Sequence, residues 1–148
     1  MHVKRRVLAV ALGAAVLLAG SPAHAALKPY DHQDPYKTHC GNYARAVRTG
    51  NITSRAHGTV GTIKLMWSSK CQTNWTEIKV GTTMVGTIHV YTADGRHNSF
   101  NFKAGNGGRH WGDMLYGKDM CAWGSASVQW GGGRGGQNAS GSTSKACG

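Results

Sequence analysis

The chain has 148 residues, and its 17 Lys and Arg against 6 Asp and Glu give a formal charge of +11. This length fits one domain and excludes a two-domain enzyme built on a dinucleotide-binding fold. Charged residues make up 16% of the chain and Trp and Tyr are scattered through it, which excludes a typical solvated, disordered chain.

The first 25 residues have the features of a secretory signal peptide. Residues 4–6 are Lys-Arg-Arg, residues 7–19 form an apolar run, and Ala23-His24-Ala25 fits the small-x-small cleavage pattern. The alternative is an uncleaved N-terminal anchor. Because the run is short for a membrane span and no second one follows, the sequence predicts a secreted protein without a transmembrane segment. Its 123 residues, from Ala26 on, keep a formal charge of +8.

The exported part is poor in large apolar side chains. Leu, Ile, Val and Phe number 15 of its 123 residues, about 12%, below the level of roughly 20% at which folding becomes doubtful. Five Trp and five Tyr add large areas for burial, and all four cysteines lie where oxidation is expected. The sequence therefore predicts a thin core that is stabilised by disulfides.

The cysteines Cys40, Cys71, Cys121 and Cys147 allow three disulfide pairings. Cys40–Cys71 with Cys121–Cys147 closes the shortest loops, and each crosslink would then stabilise the fold by on the order of 3–4 kcal/mol. Cys40–Cys121 with Cys71–Cys147, and Cys40–Cys147 with Cys71–Cys121, stay open. A metal site is disfavoured because no two of these cysteines lie within four residues of each other.

The first segments of the exported chain lack a strand pattern. Residues 26–39 are polar and rich in turn formers, which predicts an extended lead-in across the surface. In residues 41–49, Tyr43, Ala46 and Val47 fall on one helical face. This segment is the one predicted helix, and it is short.

A period of two begins at residue 56 and predicts β-strands. In residues 59–67, Ile63, Leu65 and Trp67 share one face, which predicts that Trp67 lies in the core. Asp94-Gly95 is a strong hairpin signal between two alternating segments. Further strands are predicted at 74–80, 85–92, 99–103, 114–116 and 122–130.

Two glycine-rich segments interrupt and end this pattern. The glycine content of residues 104–113 predicts a loop. That of residues 131–148 predicts a flexible tail that is held only at Cys147. The remainder, residues 26–130, is predicted to be one mainly β domain. Its architecture is a small antiparallel barrel or sandwich of about five to seven strands with one short helix, stabilised by disulfides.

Several motifs follow one another along the exported chain: Tyr30-Asp31-x-x-Asp34-Pro35, Thr38-His39-Cys40, Trp67-Ser68-x-x-Cys71-x-Thr73-Asn74-Trp75, Met114-x-Tyr116 and Cys121-Ala122. Their order resembles a family of small secreted actinobacterial proteins known as domain of unknown function 2690. The stretch from Ser68 to Trp75 is the most specific part of the resemblance. It implies an exported domain and supplies no mechanism, because the family has no established activity.

Two positions depart from the pattern of that family. Met66-Trp67-Ser68-Ser69 stands where the family tends to have Arg-Tyr-Ser-Pro, and Trp75-Thr76-Glu77 stands where it tends to have Trp-Ala-Arg. Because Glu77 reverses the charge of that Arg, no binding role carries over to this position.

Asp31, His32, Asp34 and His39 form a cluster of residue types that can ligate Ca²⁺ or Zn²⁺. Their spacing fits neither an EF-hand loop nor an H-E-x-x-H helix. We therefore favour turns in which the Asp side chains accept hydrogen bonds from nearby backbone N–H groups. No metal and no other cofactor is predicted.

The patterns that would indicate catalysis are also weak. Residues 94–98, Asp-Gly-Arg-His-Asn, resemble the His and Asn of metal-dependent nucleases only loosely, and a solvated hairpin tip explains them better. Cys71, near Trp75, would need a free thiolate to act as a protease nucleophile. Four cysteines in an exported chain favour the interpretation that Cys71 is in a disulfide. The sequence assigns no catalytic residue and favours a protein that is not an enzyme.

Exposed aromatic and basic residues favour binding instead. Trp111 lies among glycines and is the best candidate for an exposed Trp, with Arg109 two residues before it. Together with Tyr30, Asp31 and Asp34 of the lead-in, they are the predicted binding residues. The positive charge is spread along the chain, and such a surface attracts polyanions.

Three functions stay open. The first is a non-catalytic binding module outside the cell or at its envelope, with cell-wall polymers, lipid headgroups or extracellular nucleic acid as anionic partners. The second is an exported metal-dependent hydrolase that acts on a polyanion through His97 or His110. The third is a secreted inhibitor or antagonistic toxin.

Overall fold

Ten antiparallel strands joined in one sheet make up most of the computed structural model, which describes residues 27–148. The predicted signal peptide, residues 1–25, lies outside the described residues. Short 3-10 segments at Cys40–Tyr43, Asn106–Gly108 and Gly131–Gly136 connect some of the strands. The strands are β1 (Ala44–Ser54), β2 (Gly58–Ser68), β3 (Thr73–Lys79), β4 (Val85–Thr92), β5 (His97–Phe102), β6 (Arg109–Trp111), β7 (Leu115–Tyr116), β8 (Cys121–Gln129), β9 (Asn138–Ser142) and β10 (Ala146–Cys147).

Eight of the strands follow one another in the order β5-β4-β8-β9-β1-β2-β3-β6 and form a nearly closed barrel, while β10 pairs with β8 and β7 with β3. The ends of this path are β5 and β6, and we call the line between them the seam. Across the seam the rings of Phe102 and His110 stack with their centroids 4.3 Å apart. The predicted mainly β antiparallel fold is confirmed as a barrel, with more strands than the five to seven predicted.

The core follows the period of two in the sequence. The apolar residues that alternate along β2, β3 and β4 point into the barrel and are buried, and they include Ile63, Leu65, Ile78, Ile88 and Val90. Trp75 on β3 is fully buried and packs with Met114 and the first two cysteines. Trp75 thus forms the centre of a second apolar cluster beside the aliphatic residues of the barrel.

The predicted helix at residues 41–49 is wrong, because residues 44–54 form β1, which pairs along its length with β2. The register between the two strands shifts between Ala46 and Arg48, so Val47 is an extra residue at a β-bulge. Of the three residues on the predicted helical face, Tyr43 and Ala46 are exposed and only Val47 is partly buried. The bulge interrupts the alternation of β1, so the sequence of this strand lacks a clear period of two.

The glycine-rich end of the chain is also more ordered than the predicted flexible tail. Residues 138–142 form β9, which pairs with β8 over five residues and with β1 at Thr53 and Ser140. These residues are Asn-Ala-Ser-Gly-Ser, which carries no apolar alternation. The strand forms because its backbone N–H and C=O groups complete the hydrogen bonding between β8 and β1.

Two disulfides, Cys40–Cys71 and Cys121–Cys147, join the cysteines in the pairing that closes the shortest loops. The first connects the 3-10 segment before β1 to the turn between β2 and β3. The second connects residues that face each other on β8 and β10. No cysteine is free in the part of the chain that the structure describes, so Cys71 is not a thiol nucleophile.

Within residues 27–148, none of the helical segments is long and apolar enough to cross a membrane.

Candidate functional site

The lead-in segment is anchored to the barrel by Asp31. The Asp31 carboxylate, whose side chain is 1% exposed, accepts hydrogen bonds from Arg96 Nη1 at 2.7 and 3.0 Å and from the backbone N–H of Tyr116 at 2.6 Å. Arg96 also contacts Asp94 on the hairpin tip and the carbonyl of Tyr116. The buried carboxylate of Asp31 is used for hydrogen bonds within the protein and is not available to a ligand.

Asp34 holds both a turn and the indole of Trp111. Its Oδ1 accepts hydrogen bonds from the backbone N–H groups of Tyr36 and Lys37, and its Oδ2 accepts one from Trp111 Nε1 at 3.2 Å. Burial raises the pKa of Asp34, but these hydrogen bonds outweigh it and hold the pKa below its ordinary value. Asp34 is therefore an ionised carboxylate next to the predicted binding residue Trp111.

Arg109 is tied to Glu77 and Tyr36. Its guanidinium donates to both carboxylate oxygens of Glu77, at 2.8 and 3.0 Å, and to the Tyr36 hydroxyl, which in turn donates to Glu77 at 2.6 Å. Burial raises the pKa of Glu77, but the hydrogen bonds from Arg109 and Tyr36 hold it below its ordinary value. Glu77 thus neutralises the charge of Arg109 at the surface, where the guanidinium packs over the rings of Tyr36 and Trp111.

A small cavity of about 150 Å³ opens beside Trp111 at the seam. Its walls are two carboxyl groups, three rings and one amide: Asp34, Asp113, Phe100, His110, Trp111 and Asn106. Burial raises the pKa of Asp113, and the negative charge of Asp34 raises it further. Burial also lowers the pKa of His110, whose Nε2 atom is buried without a hydrogen-bond partner among the described residues. We call this space the seam cavity.

A larger groove of about 420 Å³ collects positive charge at another part of the barrel. Arg45 and Arg48 on β1 and Lys118 after β7 line it, and the half-buried Trp67 forms part of its wall. Trp67, which was predicted to lie in the core, is only half-buried and lines the groove. We call this space the basic groove.

A third concavity, of about 630 Å³, is polar and contains little charge. It lies on the outer face of β1, β4, β8 and β9, where Arg55 is the one charged side chain among its lining residues. The other polar side chains there are Thr53, Thr87, Ser127, Gln129, Asn138 and Ser140. They offer hydrogen bonds to a neutral ligand, and Arg55 alone attracts an anion less than the three cations of the basic groove do.

The structure brings together three of the five predicted binding residues: Asp34, Arg109 and Trp111. Asp31 belongs to the buried anchor, and Tyr30 is 40% exposed at a turn and lines none of the cavities described above. Of the two His proposed for a hydrolase, His97 lies exposed on β5 against the ring of Tyr91, and His110 lines the seam cavity. Within residues 27–148 no group of three His, Cys, Asp or Glu is placed to hold a metal ion.

Sequence reasoning missed the basic groove. Arg45 and Arg48 are three residues apart, which was a visible signal, but Lys118 is about 70 residues further along the chain. The pairing of β3 with β7 brings the loop that contains Lys118 to this side of the barrel. No spacing in the sequence reports that contact.

A comparison of the sequence with family models finds one match over residues 28–125, described as "Protein of unknown function (DUF2690)". A relative, "Uncharacterized protein YjfA" of Bacillus subtilis (strain 168), is 26% identical over 93 residues. These residues are 60% of this chain and 59% of that protein, so the match spans less than two thirds of either. No solved structure matches the chain significantly. The family match includes Cys40, Cys71 and the seam residues and ends before β9 and β10.

Proposed function

Because the chain belongs to DUF2690, a family of proteins of unknown function, we propose a function from its surface: it is a secreted, non-catalytic binding module that holds anionic groups of a cell-envelope polymer in the basic groove. Lipid headgroups and extracellular nucleic acid carry the same phosphate chemistry and are the alternative partners.

The observation that carries this proposal is the convergence of Arg45, Arg48 and Lys118 on one groove. In residues 27–148 the ion pairs involve Arg96 and Arg109, and none involves these three cations. Asp119 is the one acidic side chain that lines the groove, so its charged side chains sum to two positive charges. The basic groove therefore has a positive electrostatic potential, whereas Glu77 cancels the charge of Arg109.

The groove suits phosphate groups that repeat along a chain. Arg48 is held in place because its Nε donates to the carbonyl of Lys145 at 3.0 Å and its Nη1 to the carbonyl of Val47 at 2.7 Å. An Arg guanidinium binds phosphate through two parallel hydrogen bonds, and Lys acts as a point charge. The ring of Trp67 adds an apolar contact for the sugar or polyol that links successive phosphates.

Export agrees with the disulfide chemistry. Both disulfides need an oxidising compartment to persist, and the sequence predicts a cleaved signal at residues 1–25. An exported protein meets the polymers of the cell envelope as it leaves the cell. For this reason we favour a cell-envelope polymer over nucleic acid.

The test is the binding of a fluorescein-labelled poly(glycerol phosphate) to the oxidised protein over a range of salt concentrations. We expect the variant Arg45→Gln, Arg48→Gln, Lys118→Gln to bind at least tenfold more weakly and to have a shallower salt dependence, by about one unit of slope for each lost contact. The matched control is Arg55→Gln, Arg134→Gln, Lys103→Gln, which removes the same charges elsewhere and is expected to weaken binding only slightly.

Equal losses in both triple variants would mean attraction by net charge alone and would contradict the groove. A preference for lipid vesicles or DNA over the polymer would replace the partner and keep the site. Shortening of the polymer in the presence of Mg²⁺ or Zn²⁺, abolished by His97→Gln or His110→Gln, would favour the hydrolase. Inhibition of a protease or of bacterial growth without polymer binding would favour the inhibitor or toxin.

A further inference from the structure

We propose that the seam cavity is a second site, which takes a primary ammonium group on a short apolar stem with Asp113 as its counter-ion. The site is separate from the basic groove, and it takes a ligand of the opposite charge.

The few acidic side chains differ in the partners that they have. Asp31 and Asp94 are paired with Arg96, and Glu77 is paired with Arg109. Asp34 accepts three hydrogen bonds from the protein. Asp113 is half-buried, and among residues 27–148 its carboxylate has no hydrogen bond and no ion pair. A half-buried carboxylate without a partner is unfavourable, and a bound cation would relieve that cost.

Charges of both signs act on Asp113. The positive charges of His32 and Lys37 lower the pKa of Asp113. Burial and the negative charge of Asp34 raise it by more, so the pKa is raised overall. In a protein with a strong positive charge, two carboxylates face the same small space. The local field in the cavity is therefore suited to a cation.

His110 lines the cavity and is only 7% exposed. Its Nε2 atom is buried and unpartnered among the described residues. A neutral imidazole carries one acceptor nitrogen, and an ammonium group can donate one N–H to it and others to carboxylates. An unsatisfied buried nitrogen thus becomes satisfied when the ligand binds.

The cavity is small, and aromatic rings form part of its wall. The rings of Trp111 and Phe100 line it, and aromatic faces attract ammonium groups. About 150 Å³ is enough room for an ammonium group and a short stem. Because the described residues contain no group of three ligands placed for a metal, an organic cation fits the site better than a divalent metal.

The experiment is a titration of the oxidised protein with n-butylammonium chloride, followed by ¹⁵N–¹H NMR with the Trp111 indole N–H as the reporter. The neutral analogue n-butanol and choline, which lacks N–H donors, are the comparison ligands. We expect saturable shifts at Trp111 with n-butylammonium, at least tenfold weaker binding of choline and no saturation with n-butanol.

Asp113→Asn is the test variant, and Asp119→Asn, which lines the basic groove, is the matched control. We expect Asp113→Asn to bind n-butylammonium at least tenfold more weakly and to melt no lower than wild type, because it removes a disfavoured charge. We expect Asp119→Asn to bind it normally. Equal binding of n-butanol, unchanged binding by Asp113→Asn, or shifts confined to residues outside the cavity would overturn the proposal.

Discussion

Single residues decide where charge is available on this protein. Arg109 was a predicted binding residue, but its Nε and Nη2 atoms donate hydrogen bonds to Glu77 and Tyr36. Glu77, the one Glu of the chain, departs from the Arg that the family tends to have, and the structure gives it a partner. Replacing one side chain of such a cluster leaves another buried polar group without its partner, so we expect these residues to contribute to stability.

Glu77→Gln tests that contribution through its pH dependence. The folded pKa of Glu77 lies below its ordinary value of 4.5, so its stabilising effect is complete above pH 4.5 and is lost as the pH falls through the folded pKa. We expect the variant to lose about 1–2 kcal/mol of unfolding free energy at pH 7, because charged hydrogen bonds become neutral ones. Urea denaturation at pH 7 and at pH 3 measures the difference.

The matched control for this prediction is Asp119→Asn, whose carboxylate lies in the basic groove and has no ion pair among the described residues. We expect it to leave the unfolding free energy unchanged at both pH values. A loss in Glu77→Gln that is as large at pH 3 as at pH 7 would show that the carboxylate charge is not the cause.

At the scale of elements, β1 and β9 are the strands that the sequence concealed. The bulge at Val47 interrupts the alternation along β1, and β9 consists of small residues with glycine. Gly141 shows why glycine is needed in β9: a Cβ at this position would collide with the carbonyl oxygen of Asn51 and the Cα of Ile52 on β1. The strand fits because its backbone approaches β1 closely.

Gly141→Ala is therefore expected to displace β9 and to open the barrel between β8 and β1. Overpacking of this kind costs about 1–3 kcal/mol. In hydrogen exchange, we expect the amides of residues 138–142 to be protected in wild type and to lose that protection in the variant. Ser140→Ala, at an exposed site on the same strand, is the control and is expected to retain it. Rapid exchange of these amides in wild type would support the flexible tail that the composition predicts.

At the scale of the whole molecule, disulfides compensate for a small core. The buried apolar residues fall into three clusters instead of one, and the first disulfide belongs to the cluster around Trp75. The second disulfide holds β10 on β8 and thereby one wall of the basic groove, which Cys147 lines. Loss of either crosslink increases the entropy of the unfolded chain over a loop of 26 to 31 residues.

Both disulfides are expected to stabilise the protein by about 3–4 kcal/mol each. We expect Cys40→Ser, Cys71→Ser and Cys121→Ser, Cys147→Ser each to lower the urea midpoint of unfolding. The second pair is expected to weaken polymer binding as well, because β10 lines the groove. If reduction of the wild-type protein leaves the midpoint unchanged, the disulfides contribute nothing to stability and this account of the thin core is wrong.

The sequence by itself determined the class of the fold, most of the strands of the central sheet and the family. Apolar side chains that alternate with a period of two report which face of a strand is buried, and this signal is local. Cysteine number and position also indicated a fold stabilised by disulfides. Elements without apolar alternation, such as β9, gave no local signal, because backbone hydrogen bonds to their neighbours hold them.

Only the tertiary structure decided which side chains meet. Asp34 contacts Trp111, 77 residues away, and Lys118 shares a groove with Arg45, because strand pairing and the curvature of the barrel bring distant segments to one surface. Strand pairing also places Glu77 next to Arg109 and neutralises its charge. Arg45, Arg48 and Lys118 have no ion pair within the described residues. The initial charge of +11 indicates attraction to anions, but the available charge at each site depends on which ion pairs the fold allows.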